Sequence, residues 1–278
     1  MERPDAQRAD LERPDWAPDD VDLDRPSAAR VYDYILGGSH NFAIDRALGD
    51  ELERATPYVA ETMRANRHFL RRVVRFLVAQ GLDQFVDIGS GIPTVGNVHE
   101  IAQQEDPDAR IVYDDIDPVA VAHSRRILQG NDRTVVLQAD VRDAEAIFAA
   151  QELQGLIDVS RPVALLLAGI MHFIPDADDP AAIVAELCAR LAPGSHVVIS
   201  HVTWEDQPPE AMEAQRLSER TPTPLYARSH AEIQAMFDGL EMVEPGLVHF
   251  PLWRPDDPAD VGEHPERYGA FCGVGRKP

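Results

Sequence analysis

The spacing of apolar residues changes character near residue 84. Before it, Phe69, Leu70, Val73, Val74, Phe76 and Leu77 recur at helical intervals with Arg71, Arg72 and Arg75 on the opposite side, and Gly81 ends the run. Two shorter helices are expected ahead of it. One spans 28–35, with Ser27 as cap and Gly37-Gly38 as stop; the other spans 44–55 and ends before Pro57. After residue 84 the apolar residues come in short unbroken runs at 85–88, 111–113, 135–137, 163–168 and 197–200. Such runs suit parallel strands covered on both faces.

Helical stretches near 95–105, 119–129, 144–153 and 181–191 separate these strands, and Asp117-Pro118 and Asp179-Pro180 are strong start signals. Repeated βα units predict an α/β, doubly wound, mostly parallel sheet with a helical N-terminal extension. In the tail, helices at 210–219 and 229–236 precede strands at 242–247 and 270–274. A Pro-rich loop joins those two strands, which suits an antiparallel closing pair. The chain thus divides into a flexible acidic arm (1–26, with Trp16 as an anchor to the body), a helical cap (27–81) and an α/β domain (82–278).

Composition narrows the partners. The chain has 278 residues and a formal charge of −22. So acidic a surface repels nucleic-acid backbones and anionic membranes. No apolar run approaches the about 18 residues of a membrane span, and the N-terminus lacks a signal-peptide core, so the expected location is cytoplasmic. Cys188 and Cys272 are expected to be reduced core thiols, and no metal-binding or P-loop spacing is present.

The chemistry is expected where ligands bind such sheets, at the carboxyl ends of the strands. The first strand runs into VDIGSGIPT (86–94), where Gly89 and Gly91 let the backbone turn sharply and approach a ligand. Asp115 closes the second strand, placed to accept from both ribose hydroxyls, and Asp140 follows the third, near an adenine edge. Singly each acid reads better as a helix cap or a solvated side chain; the glycine turn and the two acids in order on three successive strands are specific. The turn lacks the third glycine of a dinucleotide site, and Asp87 suits an ammonium better than a pyrophosphate. That favours S-adenosyl-L-methionine over NAD.

At these residues the chain resembles the class I S-adenosylmethionine-dependent methyltransferases, with their Rossmann-like sheet. More closely it resembles the actinobacterial DUF574, or S-adenosyl methyltransferase, family. The matching stretches are RVYDYILGGSHNFAIDR (30–46), ANRHFLRRVVRFL (65–77), VDIGSGIPT, IVYDDIDP (111–118), HFIPD (172–176) and LAPGSHVVISH (191–201). The resemblance implies that 82–278 is the methyltransferase domain. It further implies that Asp87, Gly89 and Gly91 line the methionine half and Asp115 takes the ribose. Ile116 packs on adenine, Asp140 takes its amino group with Val141 alongside, and Ala168 and Gly169 lie near the reactive methyl. By analogy Arg67 pairs with the cofactor carboxylate, against a competing reading as a surface arginine. Ser39-His40 stand where the family is expected to carry Lys-Asp.

His172, after the fourth strand, is the candidate general base for an acceptor that must lose a proton; the competing reading packs it on Phe173 or has it cap a turn. Tyr32 and Tyr34, two apart on one helix, cannot share a face, so at least one is expected to pack rather than line a pocket. The expected function is methyl transfer to a small-molecule acceptor that the sequence does not name, as it does not name the oligomeric state. The rivals are a non-catalytic S-adenosylmethionine-binding regulatory or assembly protein, expected to have its acceptor cavity closed by the N-terminal helices, and a nicotinamide oxidoreductase.

Overall fold

The computed structural model describes residues 22–56, 58–92 and 96–278. The arm to residue 21 with Trp16, Pro93 and Thr94 of the turn, and the expected helix start at Val95 lie outside the described residues. The described end of the arm is tied to the body. Arg30 Nη2 donates to the carbonyls of Arg25 (2.7 Å) and Asp22 (3.3 Å), and Arg25 donates to Thr221 O (3.2 Å).

Three helices come first: α1 (Ala28–Ile35), α2 (Ala43–Ala55) and α3 (Val59–Ala79). Ser27 stands at the start of α1 as expected, yet its side chain makes no cap bond. Its hydroxyl donates instead to Asp117, while its amide donates to Asp45 Oδ1 (2.9 Å). The arginine-free face of α3 buries Phe69, Leu70, Val73, Val74 and Leu77 against Phe85, Ile111, Leu166 and Val198 of the sheet. Burying each such side chain contributes roughly 1.5–3 kcal/mol. Helix α3 is therefore part of the sheet's own core rather than a detachable cap.

The sheet strands are β1 (Gln84–Ile88), β2 (Arg110–Asp114), β3 (Thr134–Leu137), β4 (Ala164–Ala168), β5 (His196–Val202), β6 (Glu241–Met242), β7 (Val248–His249) and β8 (Ala270–Arg276). The helices between and after them are α4 (Val98–Glu105), α5 (Pro118–Ile127), α6 (Ala144–Ala149), α7 (Gln151–Leu156), α8 (Pro180–Ala189), α9 (Met212–Ser218) and α10 (His230–Ala235). The strand order is β3-β2-β1-β4-β5-β8-β6, with β7 also paired to β8. β1 to β5 are parallel; β8 runs antiparallel to β5, β6 and β7. This is the mixed, Rossmann-like sheet expected, and its order reverses between β1 and β4.

Besides the Ser27 cap, two expectations needed revision. The helix expected over 144–153 breaks at Ala150 (ψ 131°) into α6 and α7, which lets Ile147 and Phe148 on one piece and Leu153 on the other all reach the core. The strand expected over 242–247 is split into β6 and β7, because Pro245 has no N–H for a ladder and Gly246 turns at φ +90°. The Asp-Pro starts hold. Asp117 Oδ1 accepts from Val119 N (2.8 Å) and Asp179 Oδ1 from Ala182 N (3.1 Å).

Candidate functional site

Strand order reverses between β1 and β4, which is where a doubly wound sheet offers its ligand crevice, and most residues nominated from sequence lie at the strand ends or on the turns after them. Gly89 and Gly91 both take φ +68° in the turn after β1. The first glycine is sterically required: a Cβ there would stand 2.6 Å from Ile170 Cδ1. A Cβ on Gly91 would meet nothing within 4 Å. Asp115 locks this turn to the start of α5, its Oδ2 accepting from Gly91 N (2.7 Å) and its Oδ1 from Asp117 N (2.8 Å). Two oxygens with two lone pairs each leave room for further donors.

Asp87 is buried in β1, and the charge of Arg67 on α3 acts on it although the two form no salt bridge. Burial raises the Asp87 carboxyl to about 7; the Arg67 charge lowers it and Asp115 raises it. Arg67 stacks its guanidinium over the Tyr32 ring (5.6 Å), and its Nε is buried without a hydrogen-bond partner. Burial likewise lifts Asp115 to about 6, against the opposing pull of the Asp117, Gly91 and Ile116 amides. Two acids and one arginine thus form a polar crevice with unspent hydrogen-bonding capacity.

The other side of the crevice is apolar. Ile116, directly after Asp115, is 50% exposed, a large aliphatic side chain left uncovered beside the turn. Val141 is buried beneath the loop after β3. Asp140 in that loop is held by Arg142, whose Nε donates to Oδ1 (2.9 Å) and Oδ2 (3.1 Å), and this hydrogen bonding holds its carboxyl below the usual range. Arg142 Nη1 also donates to Asp178 Oδ2 (3.0 Å), joining this loop to the one after β4. An adenine amine at Asp140 would share that carboxylate with the arginine.

Ala168 ends β4, Gly169 follows it in the turn, and both are partly exposed. His172 follows in a 3₁₀ turn, buried, edge-on to Phe173 (4.4 Å) and His201 (5.5 Å). Its Nδ1 has no partner, and burial holds the ring well below its ordinary basicity, so it is neutral. Segment 226–228 clamps it. Tyr226 N donates to His172 O (2.7 Å), and the buried Arg228 donates to Met171 O (3.1 Å), Ile174 O (2.7 Å) and His201 Nε2 (3.0 Å). His201 Nδ1 lies 2.8 Å from Val202 O and so carries the proton, which leaves Nε2 free to accept.

Several contributors were not legible in the sequence. Asp114, Asn66, Ser200, His201 and Arg228 all border this region. Asp114 is 1% exposed, and neither of its oxygens makes a hydrogen bond. Burial raises it to about 7, with Asp115, Asp140 and Asp87 adding to the rise and the nearby Ala139 amide offsetting part of it. The repeated acid in Asp114-Asp115 was the available clue. Tyr32 and Tyr34 separate as the helical spacing required. Tyr34 packs where a Cβ on Gly49 would strike it at 2.4 Å, and only Tyr32 turns toward Arg67. Two surface concavities elsewhere, bordered by Gln103 and Asn131 and by Phe148 and Gln154, hold none of these groups.

A doubly wound sheet closed by an antiparallel strand, with a glycine turn and acids on successive strand ends, defines the Rossmann-like S-adenosylmethionine-dependent methyltransferases. The chain belongs to the S-adenosyl methyltransferase family, whose model matches residues 14–278. It is 40% identical to a DUF574 family protein from Streptomyces avermitilis MA-4680 (TM-score 0.88, covering 92% of this chain and 99% of that one). It is also 40% identical to a candidate methyltransferase from Thermobifida fusca YX (TM-score 0.88, covering 95% and 99%). An O-methyltransferase family protein from Burkholderia thailandensis shares the fold alone, at 12% identity and TM-score 0.52, covering 78% of this chain and 57% of that one. No curated protein sequence matches. Among the described residues no helix is long and apolar enough to cross a membrane.

Proposed function

We propose that this chain methylates a small-molecule acceptor that enters beside Gly169 and His172, with S-adenosylmethionine lying across the ends of β1 to β4. The observation that carries the reading is the unjoined pair of charges, Arg67 on α3 and Asp87 on β1. Opposite charges facing one crevice without pairing suit the two poles of an amino acid: Asp87 for the ammonium and Arg67 for the carboxylate. Asp115 receives the ribose hydroxyls. Ile116, left half exposed, covers one adenine face, with Asp140 and Val141 at its edge. Gly89 and Gly91 keep the turn free of side chains.

When bound, the cofactor supplies a methyl on a positively charged sulfur, which leaves with the bonding electron pair as the acceptor atom attacks. The chain's own task is alignment and exclusion of water. His172 is the base for an acceptor that must lose a proton. Its neutral ring can take that proton, though burial makes it a weak base, so an acceptor that is already acidic or needs no deprotonation suits it best.

The test is incubation with methyl-labelled S-adenosylmethionine and a panel of phenols, amines and carboxylic acids, reading labelled product and S-adenosylhomocysteine. Acceptor-dependent turnover that is lost in Asp87→Asn supports the reading. Tight cofactor binding with no turnover on any acceptor favours the regulatory role.

A further inference from the structure

Asp115, the acid read as the ribose ligand, is fixed by two backbone amides, those of Gly91 (2.7 Å) and Asp117 (2.8 Å). Both ends of this cradle meet the same N-terminal segment, residues 23–45. On the polar side Asp117 divides its carboxylate. Its Oδ1 caps α5 through Val119 N (2.8 Å), while Oδ2 accepts from the Ser27 hydroxyl and lies 3.8 Å from Arg30 Nη1. On the apolar side Ile92, the residue after Gly91, forms one cluster with Val119 and Ala120 of α5 and with Leu23, Phe42 and Ile44.

Ser27 is itself held from behind. Asp45 Oδ1 accepts from the Ser27 amide (2.9 Å), and its Oδ2 accepts from Phe42 N (2.8 Å) and Arg30 Nε (2.9 Å). Arg30 and Asp45 are only 4% and 0% exposed, so one buried guanidinium stands between two buried carboxylates, Asp45 and Asp117. Capping α5 does not require this, because Asp117 Oδ1 and Pro118 already start that helix. Nor does stability, since desolvation offsets most of the attraction in a buried charge cluster. What the cluster does supply is a fixed orientation for Asp117 and, through its amide, for Asp115. A carboxylate already aimed loses less freedom on receiving two hydroxyls, and so binds them more tightly.

We propose that Ser27, held by the Arg30–Asp45 pair, is a positioning residue for the ribose-binding carboxylate of Asp115 and acts through Asp117. The proposal rests on the cofactor placement given above and deepens it. The experiment is a double-mutant cycle read by titration calorimetry with S-adenosylhomocysteine at pH 8.5, where Asp115, at about 6, is ionised. Ser27→Ala should weaken binding about fivefold, the scale of one net hydrogen bond. In the Asp115→Asn protein the same change should cost less than about twofold, because the carboxylate whose aim Ser27 sets is gone.

An equal factor in both backgrounds, as a merely structural role would give, overturns the proposal, and so does wild-type affinity in Ser27→Ala. A second readout leaves Ser27 unchanged. By linkage, saturating S-adenosylhomocysteine should slow amide hydrogen exchange at Ser27 and Val31 in the wild type by about the same fivefold factor, and by less in Asp115→Asn at equal saturation. Equal slowing in the two proteins also overturns the proposal. Failure of the cofactor placement is distinct and needs no change at Ser27: Asp115→Asn alone would then bind as tightly as the wild type, and the proposal would fall with it.

Discussion

Replacing Asp114 by Asn should stabilise the protein, and more so at high pH. The carboxyl is buried at the end of β2 with three other acids around it, and burial raises it from 3.8 to about 7. At 1.36 kcal/mol per pH unit, that gap means ionised Asp114 costs about 4 kcal/mol of stability once the pH exceeds both values. The sign follows from proton counting. Between about 4 and 7 the native state holds a proton that the unfolded chain has released, so stability is highest below the unfolded value and is lost as the pH rises through the native one. At pH 5 the cost is already about 1.6 kcal/mol, so the gain from Asp114→Asn should be about 2.5 kcal/mol larger at pH 8 than at pH 5. Any fixed cost of seating the new amide cancels in this difference. Urea denaturation of both proteins at the two pH values measures it. An equal effect at both, or a larger one at pH 5, would refute the account and mean that the native carboxyl is ionised and compensated.

Four further outcomes follow from the same geometry. Asp87→Asn and Asp115→Asn should each weaken S-adenosylmethionine binding by about tenfold or more, as expected for loss of a charge-assisted contact, and calorimetry giving wild-type affinity for both would reject the site. Because Asp87 sits at about 7, wild-type affinity should strengthen as the pH rises from 6 toward 8 and the carboxylate forms, whereas the Asp87→Asn protein should keep only the smaller dependence set by Asp115 at about 6. Gly89→Ala places a Cβ at φ +68° and 2.6 Å from Ile170, so it should lower stability by about 1–3 kcal/mol. Thermal melts should show partial recovery when Ile170→Ala removes the steric part, and no recovery would assign the whole effect to the backbone. Arg228→Met strips the carbonyls of Met171 and Ile174 of their donor and should cost about 2 kcal/mol or more. Its nuclear magnetic resonance signature is a shifted His201 Nε2 resonance, because that nitrogen loses its donor while Val202 O keeps the proton on Nδ1, and an unchanged Nε2 shift would contradict the clamp.

The elements of this protein were legible because each depends on local periodicity. Unbroken apolar runs mark strands buried on both faces, and Asp-Pro and glycine punctuation mark helix ends. The order of Gly89, Gly91, Asp115 and Asp140 along the chain could be read as a site, since in a doubly wound sheet successive strand ends lie side by side. What lay beyond reach involved contacts between residues distant in sequence. Ser27 looked like a cap for its own helix and instead bonds to Asp117, 90 residues on. Arg228 secures the His172 loop from 54 to 57 residues away, and Asn66 meets Ser200 across 134. The raised carboxyls of Asp87 and Asp114 are likewise products of burial, a property of packing that no local pattern carries. Local pattern therefore settles which strands and turns form. Which charges face one another unpaired is a matter of assembly, because it depends on how far the folded sheet and α3 exclude water from the crevice between them.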